Sequence, residues 1–386
     1  MPASIYLDNA ATSFPKPEAV YAAVDHYNRQ IGVAIGRGSS RSAVEAQAIV
    51  DRCRGKVAQL LGAASADRVV FTFNGTDSLN LGIQGLLRPG DHVVTSTIEH
   101  NSVLRPLRRA ERDHGVSISL VTPDSAGRIE PAEVRAAMRH DTRLIVTLHA
   151  SNVTGVVQPI ADIGQIAREH GAYFLLDAAQ TAGHLPIDLS QIPVDLLACP
   201  GHKGLLGPLG TGILCLRPEL EHSLLETRQG GTGSNSEDDW QPQSLPNKYE
   251  SGNHNAPGLC GLEAALSYFD ARSVQAILDE EQLLTSQLIE GLKCIDGVRI
   301  PGPPADERVG VVSCVIDGLD AHECANILDE DFGIQTRAGL HCAPGIHRLH
   351  GTCAGGGSLR FSLGVFNSQA DVAAATEAIA TISGGL

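Results

Sequence analysis

The sequence predicts an α/β protein whose core is a largely parallel β-sheet flanked by helices. Short apolar runs that are typical of buried strands alternate with amphipathic helical stretches from about residue 45 to residue 220. The glycine content is high, with 41 glycines among 386 residues, which suits a protein with many tight strand-to-helix turns. Because strands that alternate with helices form parallel sheets, this part of the chain is expected to build one α/β unit.

The elements can be assigned in chain order. Apolar runs predict strands at residues 68–73, 92–95, 144–148, 173–176 and 212–216. A helix is predicted over residues 160–170, ended by Gly171. Residues 228–255 are rich in Gly, Ser, Asn and Pro and predict a long ordered loop, which in a compact enzyme usually has a function. A helix at residues 258–269 then leads to a smaller α+β unit with strands at 310–316 and 358–362.

The size, charge and cysteine usage of the chain limit its class. A chain of 386 residues is longer than one hydrophobic core usually supports, so two domains are expected. The net charge of −15 argues against nucleic acid or an anionic membrane as a partner. Nine scattered cysteines without a secretory signal are typical of reduced thiols, and no apolar run approaches membrane-spanning length. The sequence therefore favours a cytoplasmic enzyme.

A carboxylate and a lysine form the strongest functional signal. Asp177 ends the apolar run 173–176, at the edge of the sheet where α/β proteins bind ligands. Lys203 stands between His202 and a glycine-rich turn. An aspartate that holds a protonated ring nitrogen, together with a lysine that forms a Schiff base, is what pyridoxal 5′-phosphate (PLP) chemistry requires of a protein.

Other polar residues follow the predicted strands. Gly75 and Thr76 begin a helix after the strand 68–73, where backbone N–H groups can bind a phosphate, although an ordinary helix cap is the commoner use of such residues. His202 is a second candidate phosphate donor. His100 can stack on a flat cofactor ring and shuttle protons. Asn152 and Gln180 could contact the phenolic oxygen of the cofactor or the lysine imine, with turn formation as the alternative for Asn152.

A cysteine near the C-terminus is a candidate nucleophile. Cys342 lies in the segment 337–344, whose Gly, His and Pro residues indicate an accessible loop, and positively charged neighbours raise the thiolate fraction of a cysteine. Arg360, on the next predicted strand, could bind a substrate carboxylate through two hydrogen bonds. The cluster His341, Cys342, His347, His350 and Cys353 also suggests zinc. Its spacing fits no regular zinc-finger pattern, so no metal is expected.

These motifs resemble the class V, fold-type I family of PLP enzymes, in its cysteine desulfurase and selenocysteine lyase group. The resemblance covers nearly the whole chain through residues 6–12, 99–103, 177–180, 201–204 and 337–342. It implies a large PLP-binding domain at 15–257 with a mostly parallel seven-stranded sheet. It also implies a small domain formed by residues 1–14 and 258–386. The short segment from Arg337 to Pro344 resembles the SUF-type subgroup.

The resemblance also implies a role for each site residue. Lys203 would form the Schiff base, Asp177 would pair with the pyridine nitrogen, and His100 would stack on the ring. Gln180 and Asn152 would contact the oxygen side of the ring. The phosphate contacts would come from Gly75, Thr76 and His202. Asn253 would reach the phosphate of the neighbouring subunit. Cys342 would carry a persulfide, and Arg360 would anchor the substrate carboxylate, with Asn9, Asn152 and Arg337 as further substrate contacts.

The expected activity is conversion of L-cysteine to L-alanine, with sulfur passing to Cys342 and then to an acceptor protein, as in iron–sulfur cluster assembly. A homodimer is implied. L-selenocysteine remains a possible substrate, and a selenocysteine lyase or a cysteine/cystine C–S lyase remains the alternative. A transaminase is less favoured because it has no use for Cys342, and a PLP-binding scaffold is less favoured because the catalytic residues are present.

Three positions depart from the family pattern. Pro200 stands where a Ser or Thr commonly contacts the phosphate, Asn253 stands where a Thr is common, and Ser40 stands where relatives often carry His. None of these changes removes the chemistry.

Overall fold

The computed structural model describes residues 4–36, 38–234 and 236–385. The α-helices of this part of the chain are α1 (Glu18–His26), α2 (Arg41–Leu61), α3 (Gly75–Leu86), α4 (Asn101–His114), α5 (Pro131–Ala137), α6 (Ile160–His170), α7 (Ala256–Leu266), α8 (Tyr268–Ala271), α9 (Val274–Lys293), α10 (Ala321–Phe332), α11 (Pro344–Leu349) and α12 (Gln369–Gly384). The strands are β1 (Ile5–Tyr6), β2 (Val69–Thr72), β3 (His92–Ser96), β4 (Ser117–Val121), β5 (Thr142–Leu148), β6 (Tyr173–Asp177), β7 (Leu196–Pro200), β8 (Gly212–Leu216), β9 (Val298–Arg299), β10 (Val311–Ile316), β11 (Ile334–Gln335), β12 (Arg337–Gly339) and β13 (Ser358–Ser362).

Seven strands form the central sheet, in the order β2-β8-β7-β6-β5-β3-β4. Strands β7, β6, β5, β3 and β4 are parallel, whereas β8 runs antiparallel to both of its neighbours. The predicted α/β class and the mostly parallel seven-stranded sheet are confirmed. Each predicted strand of this sheet is present, and α6 covers the predicted range and ends at Gly171, which has a left-handed φ of 69°.

The sheet is stabilised because both of its faces are covered. Neighbouring residues on each strand point to opposite faces, so Phe174 and Leu176 join one hydrophobic cluster while Leu175 joins the other. Helices α2, α6 and α7 cover the first face, and α3 and α4 cover the second. These strands are therefore apolar at nearly every position, which is the pattern expected of a sheet buried on both sides.

The C-terminal part builds a second core around the four-stranded sheet β12-β13-β10-β9. Strand β1 pairs in parallel with β11, and Leu7 is buried in this second core, so the N-terminal segment packs with the C-terminal unit. Helix α7 crosses the expected boundary at residue 257 and buries Leu259 and Leu262 in the core of the large sheet. The expected boundary therefore falls within a helix that packs on the large sheet.

The long loop before α7 has no helix or strand from residue 223 to 255 within the described residues. Its end is anchored by a buried ion pair, in which Arg54 Nη2 donates to Glu250 Oε2 at 2.8 Å. None of the described helices is both long and apolar enough to span a bilayer.

The topology gathers the polar residues that follow the strands. Strand β2 is antiparallel to β8, and β8 is antiparallel to β7, so β2 runs in the same direction as the parallel strands. The carboxyl ends of β2, β3, β5, β6 and β7 therefore meet at one edge of the sheet. This is the edge where ligands bind in open α/β sheets.

Candidate active site

A cleft with about 590 Å³ of space free of protein atoms opens at this edge of the sheet. Each strand end contributes to it. The residues that line it include Gly75, Thr76, His100, Asn152, Asp177, Gln180, Pro200, His202 and Lys203. The structure thus brings together eight residues that the sequence analysis assigned to a cofactor site.

Lys203 and Asp177 both line the cleft, and each affects the pKa of the other. Burial lowers the pKa of Lys203 from 10.5 to about 8; Arg360 and Arg337 lower it further, while Asp177 opposes the shift. Burial raises the pKa of Asp177, against the effects of the Ala179 N–H group and of Lys203. Among the described residues, the Asp177 side chain accepts one hydrogen bond, from Ala179 N to Oδ1 at 2.9 Å. The carboxylate can therefore accept a further proton donor from a bound molecule.

His100 is held as a neutral imidazole. Ser102 N donates a hydrogen bond to His100 Nδ1 at 3.0 Å, and the Ser102 hydroxyl lies 2.9 Å from the same nitrogen and 2.7 Å from Thr76 Oγ1. Burial lowers the pKa of His100 to about 4, and the charge of Lys203 adds to this effect. Because Nδ1 accepts a hydrogen bond, the proton of the neutral ring is on Nε2.

The start of α3 offers donors for an anion. The Asn74 side chain caps the helix by accepting from Asp77 N, while the N–H groups of Gly75 and Thr76 have no acceptor within the helix. A side chain at Gly75 would lie 3.1 Å from Pro200 Cδ, so glycine permits the close approach of the two loops. His202 Nδ1 is buried without a hydrogen-bond partner among the described residues, and burial lowers the pKa of this imidazole to about 4.

These features fit PLP. The acceptor Asp177 suits a protonated pyridine nitrogen, the amine of Lys203 lies in the same cleft, and the unpaired donors at the start of α3 suit a phosphate. Pro200 ends β7 within this lining and brings no hydroxyl, in agreement with the departure noted in the sequence.

Cys342 lies on an exposed turn that contacts the start of α4. Asn101 N donates to Cys342 O at 2.8 Å, and Asn152 Nδ2 donates to His341 O at 2.6 Å. His341 and Cys342 have left-handed φ values of 48° and 59°, which are uncommon for residues with side chains. The thiol of Cys342 is exposed. The turn is therefore fixed through its backbone while its sulfur stays accessible.

Two arginines face each other next to this turn. Arg337 on β12 is directly opposite Arg360 on β13. Arg360 is buried; its Nη2 donates to Asp8 Oδ1 at 2.5 Å and its Nη1 donates to Asn152 O at 3.0 Å. Its Nε is buried without a partner among the described residues. Neither arginine belongs to the cleft lining, but both lower the pKa of Lys203.

Two residues assigned from the sequence lie elsewhere. The Asn9 amide donates to Ser362 O at 3.0 Å and to Asn367 Oδ1 at 3.1 Å, so it joins parts of the small unit. Asn253 lines a separate cavity with Phe71 and Arg228. Neither residue lines the main cleft of its own chain. Gln180, by contrast, lines the main cleft, and its side-chain amide also donates to Ala10 O at 3.2 Å.

Sequence reasoning assigned no role to two further groups. Glu99 is fully buried beside the cleft: it accepts from Ser96 Oγ at 2.5 Å and from Leu148 N at 2.9 Å, and burial raises its pKa to about 8. Lys16 Nζ donates to His202 O at 2.8 Å, so the N-terminal segment holds the peptide before Lys203. Glu99 directly precedes His100, so the sequence offered a signal for its place beside the site. Nothing in the sequence near Lys16 indicated its contact with His202.

Comparisons with known proteins identify the family of the chain. The model of the class-V aminotransferase family matches residues 5–374, and the chain belongs to this family. A probable cysteine desulfurase of Methanothermobacter thermautotrophicus is 36% identical over 98% of this chain and 95% of its own length. The cysteine desulfurase of Haloferax volcanii is 32% identical over 97% of this chain and 88% of its own length. The resemblance seen in the sequence is thereby confirmed.

Solved structures give the same result. The apo cysteine desulfurase of Thermococcus onnurineus superposes with a TM-score of 0.93 at 33% identity, over 99% of this chain and 95% of that one. A cysteine desulfurase of Escherichia coli superposes with a TM-score of 0.90 at 28% identity, over 99% and 95% of the two chains.

Proposed function

We propose that the chain is a PLP-dependent cysteine desulfurase that converts L-cysteine to L-alanine and carries the sulfur as a persulfide on Cys342. The main support is the contact between two loops. The turn that carries Cys342 bonds through its carbonyl to Asn101, the residue after His100, and His100 lines the same cleft as Lys203 and Asp177. A thiol held beside such a cleft serves sulfur transfer and has no use in transamination.

Asp177, His100, Gln180 and Lys203 would hold the ring of PLP, and Gly75, Thr76 and His202 would hold its phosphate. When bound, PLP supplies an electron sink that stabilises negative charge at the α-carbon of an amino acid. A pKa of about 8 leaves part of Lys203 as a neutral amine near pH 7 to 8, able to accept the α-proton of the substrate. Burial raises the pKa of Asp177 although Lys203 opposes this effect, and a protonated ring nitrogen would add a second positive partner for the carboxylate.

Arg360 and Arg337 would hold the substrate carboxylate. They are opposite each other on adjacent strands, and Arg360 keeps one buried N–H group without a partner among the described residues. Asp8 compensates part of the charge of Arg360 in the free protein. A bound carboxylate would add a second anion to this pair of cations.

Cys342 completes the reaction as a nucleophile. Its thiolate attacks the sulfur of bound cysteine, a sulfur–sulfur bond forms, and the carbon–sulfur bond breaks. The carbon keeps the electron pair of the broken bond and takes up a proton, so the products are alanine and the Cys342 persulfide. Neither an oxidant nor a reductant is needed. A thiol-bearing acceptor protein would then remove the sulfur.

We further propose a homodimer in which Asn253 reaches the phosphate of the partner subunit. The support is that Asn253 lies on an anchored surface loop and lines a cavity separate from the main cleft.

Incubation of the PLP-loaded protein with L-cysteine, without reductant, tests the proposed activity. The expected result is alanine in the supernatant and a protein mass increased by sulfur, with the addition on Cys342. Pyruvate and free sulfide without an adduct would instead support a C–S lyase, and no product at all would support a PLP-binding scaffold.

A further inference from the structure

A second accessible thiol lies next to the turn that carries Cys342. Of the nine cysteines, six are buried and three are exposed: Cys294, Cys342 and Cys353. Cys353 Sγ is 4.0 Å from the carbonyl oxygen of Pro344, which follows Cys342 by two residues. Two residues of chain span at most about 7 Å, so both thiols belong to one small region of the surface.

A reversal of the chain brings Cys353 to this position. Helix α11 starts at Pro344 and leads away from Cys342, and the chain then turns back. Thr352 N donates to His347 O at 2.9 Å, and the Thr352 hydroxyl lies 2.7 Å from His347 Nδ1. Both of these residues are buried, so the chain is fixed immediately before Cys353. Cys353 itself is exposed to solvent.

The residues after Cys353 favour an adaptable loop. Residues 355–357 are all glycine, and Gly356 and Gly357 have φ values of 75° and 111°. A side chain at Gly355 would meet nothing within 4 Å. As a glycine, Gly355 has more backbone freedom than other residues would, whereas Gly357 packs against Gly339, so any movement of the thiol is confined to the part of the loop before Gly357.

Burial keeps the histidines of this region neutral. Burial is the main cause that lowers the pKa of His341 to about 2 and that of His347 to about 4. Among the described residues, no group of three or more His, Cys, Asp or Glu side chains is arranged to hold a metal ion. The Nε2 atoms of His347 and His350 are buried without a hydrogen-bond partner among those residues. The two thiols therefore remain available for sulfur chemistry in a region that contains uncharged imidazole bases.

We propose that Cys353 is a second sulfur carrier that takes the sulfur from Cys342. The Cys353 thiolate attacks the outer sulfur of the Cys342 persulfide. A new sulfur–sulfur bond forms at Cys353, the bond at Cys342 breaks, and Cys342 leaves as a thiolate. The exchange conserves sulfur oxidation states and needs no other reactant. The proposal rests on the proposed desulfurase activity. The exchange frees Cys342 for a second turnover while the first sulfur stays bound to Cys353 at the surface.

The stoichiometry of a single burst tests this relay. PLP-loaded protein is mixed with excess L-cysteine, without reductant or acceptor, and alanine is counted per chain. With two carriers the burst approaches two alanines per chain, and the Cys353→Ser variant halves it. Cys294→Ser is the matched control, because Cys294 is also exposed but lies at the end of α9; its burst should equal that of the parent.

Peptide mapping locates the sulfur. Trypsin cleaves after Arg337, Arg348 and Arg360, so Cys342 and Cys353 fall in separate peptides. After alkylation, the parent should carry added sulfur on both peptides, Cys353→Ser on the Cys342 peptide alone, and Cys342→Ser on neither. The relay is overturned by an undiminished burst in Cys353→Ser, or by sulfur on Cys353 when Cys342 is absent. If the parent itself yields neither alanine nor adduct, the proposed activity fails first.

Discussion

The backbone N–H of Asn101 donates a 2.8 Å hydrogen bond to the carbonyl oxygen of Cys342. The bond joins the first residue of α4 to a turn that is 241 residues further along the chain (342 minus 101). Since His100 precedes Asn101 directly, the residue proposed to face the cofactor ring and the proposed sulfur nucleophile share one backbone support. The position of the turn thus depends on tight packing between two loops.

Gly345→Ala should displace the turn. A Cβ at Gly345 would lie 1.6 Å from the carbonyl oxygen of Thr97, because the backbones of these two residues are in direct contact. We expect the rate of alanine formation to fall about 100-fold, because a displacement of about 1 Å costs that much when reacting groups must be aligned. The absorbance of bound PLP should persist, since Gly345 does not line the cleft.

Gly55→Ala serves as the control for that experiment, because a Cβ at Gly55 meets nothing within 4 Å in the helix α2. It should keep full activity, and thermal unfolding should show that both variants are folded. Parent-like activity in a folded Gly345→Ala protein would show that the turn tolerates movement.

The pKa of Lys203 predicts how the apoenzyme captures PLP. Only the neutral amine attacks the PLP aldehyde, and burial lowers this pKa from 10.5 to about 8. The rate of covalent capture, followed by visible absorbance, should therefore rise with pH and reach half of its maximum near pH 8. Lys203→Ala should show no covalent capture and no turnover at any pH. A midpoint near 10 would mean that the amine is not buried in solution.

Glu99 is expected to act as a neutral hydrogen-bonding group. Burial raises its pKa from 4.5 to about 8, and its oxygens lie beside Ser96 and Leu148 N. Glu99→Gln keeps both contacts and should retain PLP binding, whereas Glu99→Ala leaves the buried partners unpaired and should lower the free energy of unfolding by about 1–3 kcal/mol. Visible absorbance measures PLP binding, and denaturant unfolding measures the free energy of unfolding of both variants.

The pH dependence of stability gives an independent check on Glu99. Its pKa is raised in the folded state, so between pH 5 and 8 the folded protein binds more protons than the unfolded chain. The parent should lose stability relative to Glu99→Gln as the pH rises through this range. A constant difference would mean that Glu99 is already ionised in the folded protein.

Asn253→Ala should weaken PLP binding about tenfold, because a hydrogen bond to a charged phosphate contributes about 1.5 kcal/mol. Gln243→Ala, at an exposed position of the same loop, is the control and should leave affinity unchanged. Sedimentation should show a dimer at micromolar concentration. A monomer that binds PLP tightly would contradict the shared site.

The sequence was sufficient to predict the cleft because its residues follow strand ends. Asp177 and His100 each follow a predicted strand, and parallel strands bring such positions together whatever the details of packing. Lys203 joins them because it follows β7, a strand that the sequence analysis did not predict. The pairing of Arg360 with Asp8 could not be predicted, because these residues are 352 positions apart and their contact depends on how the N-terminal segment packs. The packing of helix α7 on the large sheet, across the expected boundary at residue 257, could not be predicted for a similar reason, since the core that a helix joins depends on tertiary packing.

Alanine formation by Cys342→Ala is the decisive measurement for the proposal that the sulfur of cysteine leaves through Cys342. Parent and variant are loaded with equal PLP, verified by absorbance, and given the same L-cysteine. Because the thiol is exposed and its turn is held by backbone hydrogen bonds, the substitution should leave PLP binding unchanged. This route for the sulfur predicts that alanine formation falls by orders of magnitude while the absorbance stays the same. Alanine formation at the parent rate would contradict it and would show that Cys342 takes no part in the reaction.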